Sequence, residues 1–166
     1  IARYSKKYNI PTADSYELDT AYFSYLFSLD TAKYKSQIKN HYQPLQALYY
    51  DKLGYLKSFQ VNCYAGGFPN LKWDRNEIMT TFPPRQQAPI DSIVSLETQM
   101  KYLKPLSQTS KLSVDSYDYI AIVYWNRFMG RQSKRLIRYV QENSKLEKEK
   151  KVKILYANTD NIFARQ

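Results

Sequence analysis

The chain has 166 residues, 43% hydrophobic and 24% charged, enough apolar material for one domain with its own core and too much for a disordered segment. Its 25 Lys and Arg against 15 Asp and Glu give a net charge of +10, which raises the question of a polyanionic partner. The single cysteine, Cys63, excludes an internal disulfide and a thiolate metal centre, and no apolar run approaches the ~20 residues that cross a bilayer.

The chain opens on Ile1, with no basic leader followed by an apolar stretch. A leader removed upstream, which would place the protein outside the cytoplasm, is weighed against simple truncation. Residues 1 to 13 read as an irregular lead-in. Asp14 and Glu17 have capping-box spacing, and Leu18, Tyr22, Tyr25, Leu26 and Leu29 follow at helical spacing, so a helix is expected over 15–29. Together these make residues 1–30 an N-terminal helical extension. A shorter helix is expected from Thr31 to Asn40, ending before Pro44.

Two aromatic-rich runs, Leu45–Tyr50 and Tyr55–Val61, flank Asp51-Lys52-Leu53-Gly54 and predict a β-hairpin. Cys63, in the apolar stretch Val61-Asn62-Cys63-Tyr64, would lie on the hairpin and is expected to be a buried structural thiol. Residues 66–90 contain Gly66, Gly67, Pro69, Pro83, Pro84 and Pro89 and read as a long loop insertion, with one helical turn near Asn76 to Met79. Ile93, Leu96, Met100 and Leu103 predict a helix over 91–104 that Pro105 stops. Tyr119–Trp125 is almost continuously apolar, as a strand buried on both faces would be. Gly130 to about Leu146 is the clearest helix, with Leu136, Ile137 and Val140 inward and Arg131, Lys134, Arg135 and Arg138 on the other side. Val152–Ala157 is the last strand. The expected fold is a single α/β domain over 1–166, with a mixed sheet flanked by helices and with 119–125 and 152–157 parallel and adjacent.

One stretch resembles a known family. An apolar strand runs into Trp125-Asn126-Arg127-Phe128-Met129-Gly130-Arg131-Gln132, then a helix, then a strand ending Asn158-Thr159-Asp160-Asn161. This resembles the first βαβ unit of the thioredoxins, with the Trp, the aromatic and the Gly in place. Pro44-Leu45-Gln46-Ala47-Leu48-Tyr49-Tyr50, running on to Gly54, resembles the hairpin that opens on a cis-proline in that family. Gly66 and the helix over 91–104 would supply its closing glycine and final helix. The pieces cover roughly half of the chain and stand in the wrong order. The resemblance therefore implies a thioredoxin-like fold, ordinary or circularly permuted with the hairpin first and the βαβ unit last; an unrelated α/β sandwich is the rival.

Met129 and Gln132 stand where the thioredoxins have cysteines, so the resemblance implies a redox-inactive scaffold: neither side chain can form a thiolate or a disulfide. The start of a helix remains a place for an anion in principle, with Arg127 and Arg131 beside it and Gly130 opening the backbone, against the plainer reading that the two arginines are solvated or pair with acidic neighbours. A cleft is expected there, lined by Trp125, Arg127, Phe128, Met129, Gly130 and Arg131 with Pro44 opposite, beyond the carboxyl ends of the strands. The Gln43–Pro44 bond would then be cis. Trp73 is the loop aromatic most suited to contact a ligand, against a role as a plug over the domain edge.

His41, the single histidine, has no nucleophile or metal spacing beside it, and an ordinary surface or half-buried role is expected. No catalytic residue, cofactor or metal site is read from the sequence. The leading reading is a non-catalytic binding or interaction module for a protein, small molecule or glycan. The alternative is a polyanion binder using the basic helix 130–146, since residues 127–153 carry ten basic and three acidic side chains. Nucleic acid is possible but not favoured, because within the helix 130–146 Tyr139 alone lies among the cations and base stacking needs more aromatic surface. Scattered lysines would argue for mere solubility, and a continuous patch for a polyanion.

Overall fold

The computed structural model describes residues 1–63, 72–108 and 113–163. Its centre is a six-stranded mixed sheet in the order β3-β2-β5-β6-β1-β4. The strands are β1 (Ser15–Leu18), β2 (Gln46–Asp51), β3 (Leu56–Val61), β4 (Leu103–Pro105), β5 (Tyr119–Trp125) and β6 (Val152–Asn158). β5 and β6 are parallel, and β1 lies parallel to β6 on its far side. β2 runs antiparallel to β5 and to β3, and β4 antiparallel to β1. The protein is thus α/β, with helices α1 (Ala2–Lys7), α2 (Ala21–Ser28), α3 (Lys35–His41), α4 (Leu96–Lys101), α5 (Gly130–Ser144) and α6 (Asp160–Phe163) around the sheet.

Alternation along β5 divides the interior in two, because successive side chains leave a strand on opposite faces. Ile120, Ile122 and Tyr124 join Tyr22, Leu26 and Ile38 on one face, with Leu96 of α4. Ala121, Val123 and Trp125 join Leu136, Ile137 and Val140 of α5 on the other, with Tyr8, Trp73 and Met79. Both sheet edges are blunted. Phe59 of β3 offers its carbonyl to the N–H groups of Gln87 and Ala88 at 3.0 and 3.1 Å, so a loop covers that edge. The opposite edge, β4, is three residues long and ends in proline.

Three expectations need correction. Residues 15–18 form a strand, not the start of a helix; the helix begins at Ala21, whose N–H is received by Asp19 Oδ1 at 3.0 Å. Asp14 does not cap it but pairs with Lys153 at 2.6 Å. Pairing with both β6 and β4 outweighs the helical spacing of Leu18 and Tyr22. The segment 91–104 is helical only over α4, which Ser95 caps by accepting the Thr98 N–H at 3.2 Å; Leu103–Pro105 then pairs with β1. The supposed irregular lead-in contains α1, which packs its following residue, Tyr8, against Trp125.

The loop insertion 66–90 is described from residue 72 onward, and Gly66 lies outside the described residues. Its described part is packed rather than free. Trp73 is fully buried, and the side-chain amide of Asn143 on α5 donates to Met79 and Thr81 carbonyls, both at 2.7 Å. Among the described residues no helix is long and apolar enough to cross a membrane.

Candidate functional site

The turn between β5 and α5 is built by Asn126, which has no solvent exposure. Its side-chain oxygen accepts the Met129 N–H at 2.8 Å, and its amide donates to the Pro44 carbonyl at 3.3 Å. The Ser133 hydroxyl donates to Asn126 O at 2.7 Å and stands 3.1 Å from its N–H, so the first turn of α5 is tied back to the end of β5. The end of β6 joins in through Asp160. One carboxylate oxygen accepts the Arg127 backbone N–H at 2.8 Å; the other accepts Arg127 Nε–H at 2.7 Å and the Asn158 amide at 3.0 Å. Buried polar groups are costly unless paired, and here the sheet's carboxyl edge satisfies its own.

This fixes where the residues expected to line a cleft stand. Trp125 is buried, with the Tyr8 ring edge-on at 5.7 Å. Arg127 is committed to Asp160. Met129 is half-buried and packs against the α5-side core. Gly130 does not leave the backbone open: the Tyr8 hydroxyl donates to its carbonyl at 3.1 Å, and a Cβ there would meet the same hydroxyl at 3.1 Å. Pro44 contributes its carbonyl to Asn126 and to the Thr159 hydroxyl, and its peptide bond with Gln43 is not cis. Phe128 and Arg131 remain exposed. Trp73 sits in the core, so its ring offers no binding surface.

The accessible feature of α5 is its outer face. Ser133, Leu136, Ile137, Val140 and Asn143 are buried, which leaves Arg131, Lys134, Arg135 and Arg138 along one exposed ridge at i, i+3, i+4 and i+7. Arg138 meets Glu142 at 3.7 Å, with both side chains 60% exposed, a contact that solvent makes worth little. Arg131 and Lys134 form no ion pair among the described residues. Beside the ridge lies a concavity of about 360 Å³ lined by Arg135, Arg138, Tyr139 and, from the loop, Lys72 and Asp74. Asp74 Oδ1 accepts the Met79 N–H at 2.9 Å, so this carboxylate also serves the loop's own fold. The Arg138 guanidinium lies over the Tyr139 ring, 5.4 Å from its centre.

Sequence reading named the ridge but missed Lys72 as its neighbour. It is the burial of Trp73, next to Lys72, that brings the lysine to the helix, and the sequence left that burial open. It also missed the structural role of Asp160 and the place of His41. His41 is fully buried, with Nε2 3.0 and 3.2 Å from the two Asp91 oxygens, fifty positions along the chain. Cys63 is half-buried rather than buried.

Many of the seventeen tyrosines are structural. Tyr22, Tyr49, Tyr50 and Tyr124 are completely buried, and burial, which disfavours the phenolate, raises their pKa well above the usual value. Tyr156 is pushed up to about 12 by the same cause. Tyr124 donates to Gln99 Oε1 at 2.5 Å, and the Gln99 amide donates to the Tyr22 hydroxyl at 3.2 Å.

Compared with family models, with curated proteins and with solved structures, the chain finds no match in any of the three.

Proposed function

We propose that the chain is a non-catalytic binding module whose ligand is an anionic polymer, held along the outer face of α5. The observation that carries this reading is the continuous ridge Arg131–Lys134–Arg135–Arg138, widened by Lys72. Four cations along one face of a rigid helix track a row of phosphates or sulfates. Arginine adds forked donors that suit either oxyanion. The scaffold is read as thioredoxin-like and redox-inactive. Support comes from the βαβ unit and the hairpin lying side by side in one sheet, β2 against β5. Met129 and Gln132 leave that edge without a thiol.

The test is binding to heparin and to duplex DNA over a range of salt concentrations. The variant carries Gln at Arg131, Lys134, Arg135 and Arg138, which keeps helix propensity. Wild type should bind heparin, with affinity falling steeply as salt rises. For duplex DNA, each cation that no longer neutralises a phosphate should flatten the log–log salt slope by about 0.9. Unchanged affinity and slope in the variant would refute the reading.

A further inference from the structure

A second surface lies away from α5, between the hairpin turn and the segment that leads into α4. It is a groove of about 530 Å³ whose walls include Leu53, Tyr55, Ile90 and Val94, with Asp91 and Glu97 as its carboxylates. Leu53 and Tyr55 are 72% and 65% exposed, the two highest values among the exposed large hydrophobic side chains of the described residues. Exposed apolar groups gathered at one concavity mark interaction sites more often than scattered ones do.

Both walls are preformed. In the turn, Asp51 Oδ1 accepts the N–H groups of Leu53 and Tyr55, each at 3.0 Å. The Asp51 N–H donates to Tyr55 O at 3.0 Å, and the Gly54 N–H to Asp51 O at 2.9 Å. Gly54 has φ +82°, a conformation that suits glycine and closes the turn. On the other wall, Tyr25 and Tyr50 reach out of the core to donate to the Ile93 and Val94 carbonyls at 2.8 and 3.0 Å. Asp91 is held by His41 from behind and by the Ile93 N–H at 3.2 Å, with 9% of its side chain exposed. A ligand meeting these walls has little side-chain or loop ordering to impose, which is the main way a small interface gains affinity.

The charge of the groove is opposite to that of the molecule. The chain carries +10, yet the charged residues lining the groove are Asp91 and Glu97. Lys101 meets Glu97 at 2.9 Å, but both side chains are more than 60% exposed, so that pair is open to exchange.

We propose that this groove docks a short segment of a partner protein in which a Lys or Arg stands next to an aliphatic or aromatic residue. The cation goes to the carboxylates of Asp91 and Glu97, and the apolar side chain lies between Leu53, Tyr55 and Ile90. This site is independent of the α5 ridge.

The experiment pans a random phage-displayed peptide library against the full chain and measures synthetic copies of the enriched peptides by fluorescence anisotropy. A chain of +10 attracts acidic peptides by default, so enrichment of basic–apolar peptides runs against the net charge. These peptides are expected to lose at least tenfold in affinity for the double variant Leu53→Ser, Tyr55→Ser, whose exposed positions leave the core intact. They should weaken also for Glu97→Gln, and bind the α5 Gln variant as they bind wild type. Failure to enrich such peptides, or binding indifferent to the Leu53/Tyr55 variant, overturns the proposal. So does self-association of the chain in sedimentation that the same double variant abolishes, because the occupant would then be a second copy.

Discussion

Replacing Asp160 by alanine should destabilise the protein far more than replacing Arg127, although the two form one ion pair. Asp160 is 6% exposed and accepts from three donors, the Arg127 N–H, Arg127 Nε and the Asn158 amide. Removing it strands the Arg127 backbone N–H and the buried Asn158 amide; an unsatisfied buried group costs about 1–3 kcal/mol, and the Arg127 N–H, only part-buried, falls at the low end, about 1 kcal/mol. The Arg127 guanidinium is 49% exposed and returns to water, so its share is discounted to about 0–1 kcal/mol. The expected loss is about 2–4 kcal/mol for Asp160→Ala and ~1 kcal/mol for Arg127→Ala. In thermal terms, at about 2–4 °C per kcal/mol for a domain of this size, Asp160→Ala should melt about 5–15 °C lower. Urea titration followed by far-ultraviolet circular dichroism and by tryptophan fluorescence measures this, with coincident curves establishing a single transition. Trp125 lies beside the perturbed turn and its carbonyl accepts the Thr159 N–H at 2.9 Å, which makes the fluorescence sensitive to it. Equal losses for the two variants, or an Asp160→Ala within about 0.5 kcal/mol of wild type, would refute the argument that Asp160 acts chiefly by holding the strand ends together.

Alkaline pH should unfold the protein cooperatively. The folded pKa values of Tyr22, Tyr49, Tyr50 and Tyr124 lie above the unfolded value near 10, so the unfolded chain releases protons first and stability falls as pH rises past that value. Each such tyrosine contributes a slope of about 1.4 kcal/mol per pH unit, and absorbance at the tyrosinate band should rise in a gradual phase from exposed rings and then a steep one that coincides with loss of circular dichroism. A single gradual phase with the fold intact would contradict the burial. Trp73→Ala should cost about 3–5 kcal/mol, as removal of a core aromatic does, while the folded fraction binds heparin as wild type does; loss of binding at unchanged stability would put Trp73 on the ligand instead.

Elements with a strong local pattern were legible from the chain alone. The apolar run at Tyr119–Trp125, the amphipathic repeat of α5 and the glycine turn of the β2–β3 hairpin each point to one structure, and the parallel pair β5–β6 follows from the strand–helix–strand succession. The remaining features depend on packing, because their deciding partners are distant along the chain. Residues 15–18 carry helical spacing and become a strand only because β6 and β4 flank them. Gly130 looks open until Tyr8, 122 positions away, covers it. Arg127 could be solvated, paired or open to an anion, and only the fold commits it to Asp160; His41 could lie on the surface or half-buried until Asp91 and Phe59 enclose it. A side chain's availability for a ligand is set by what packs over it, and periodicity along one element does not contain that information.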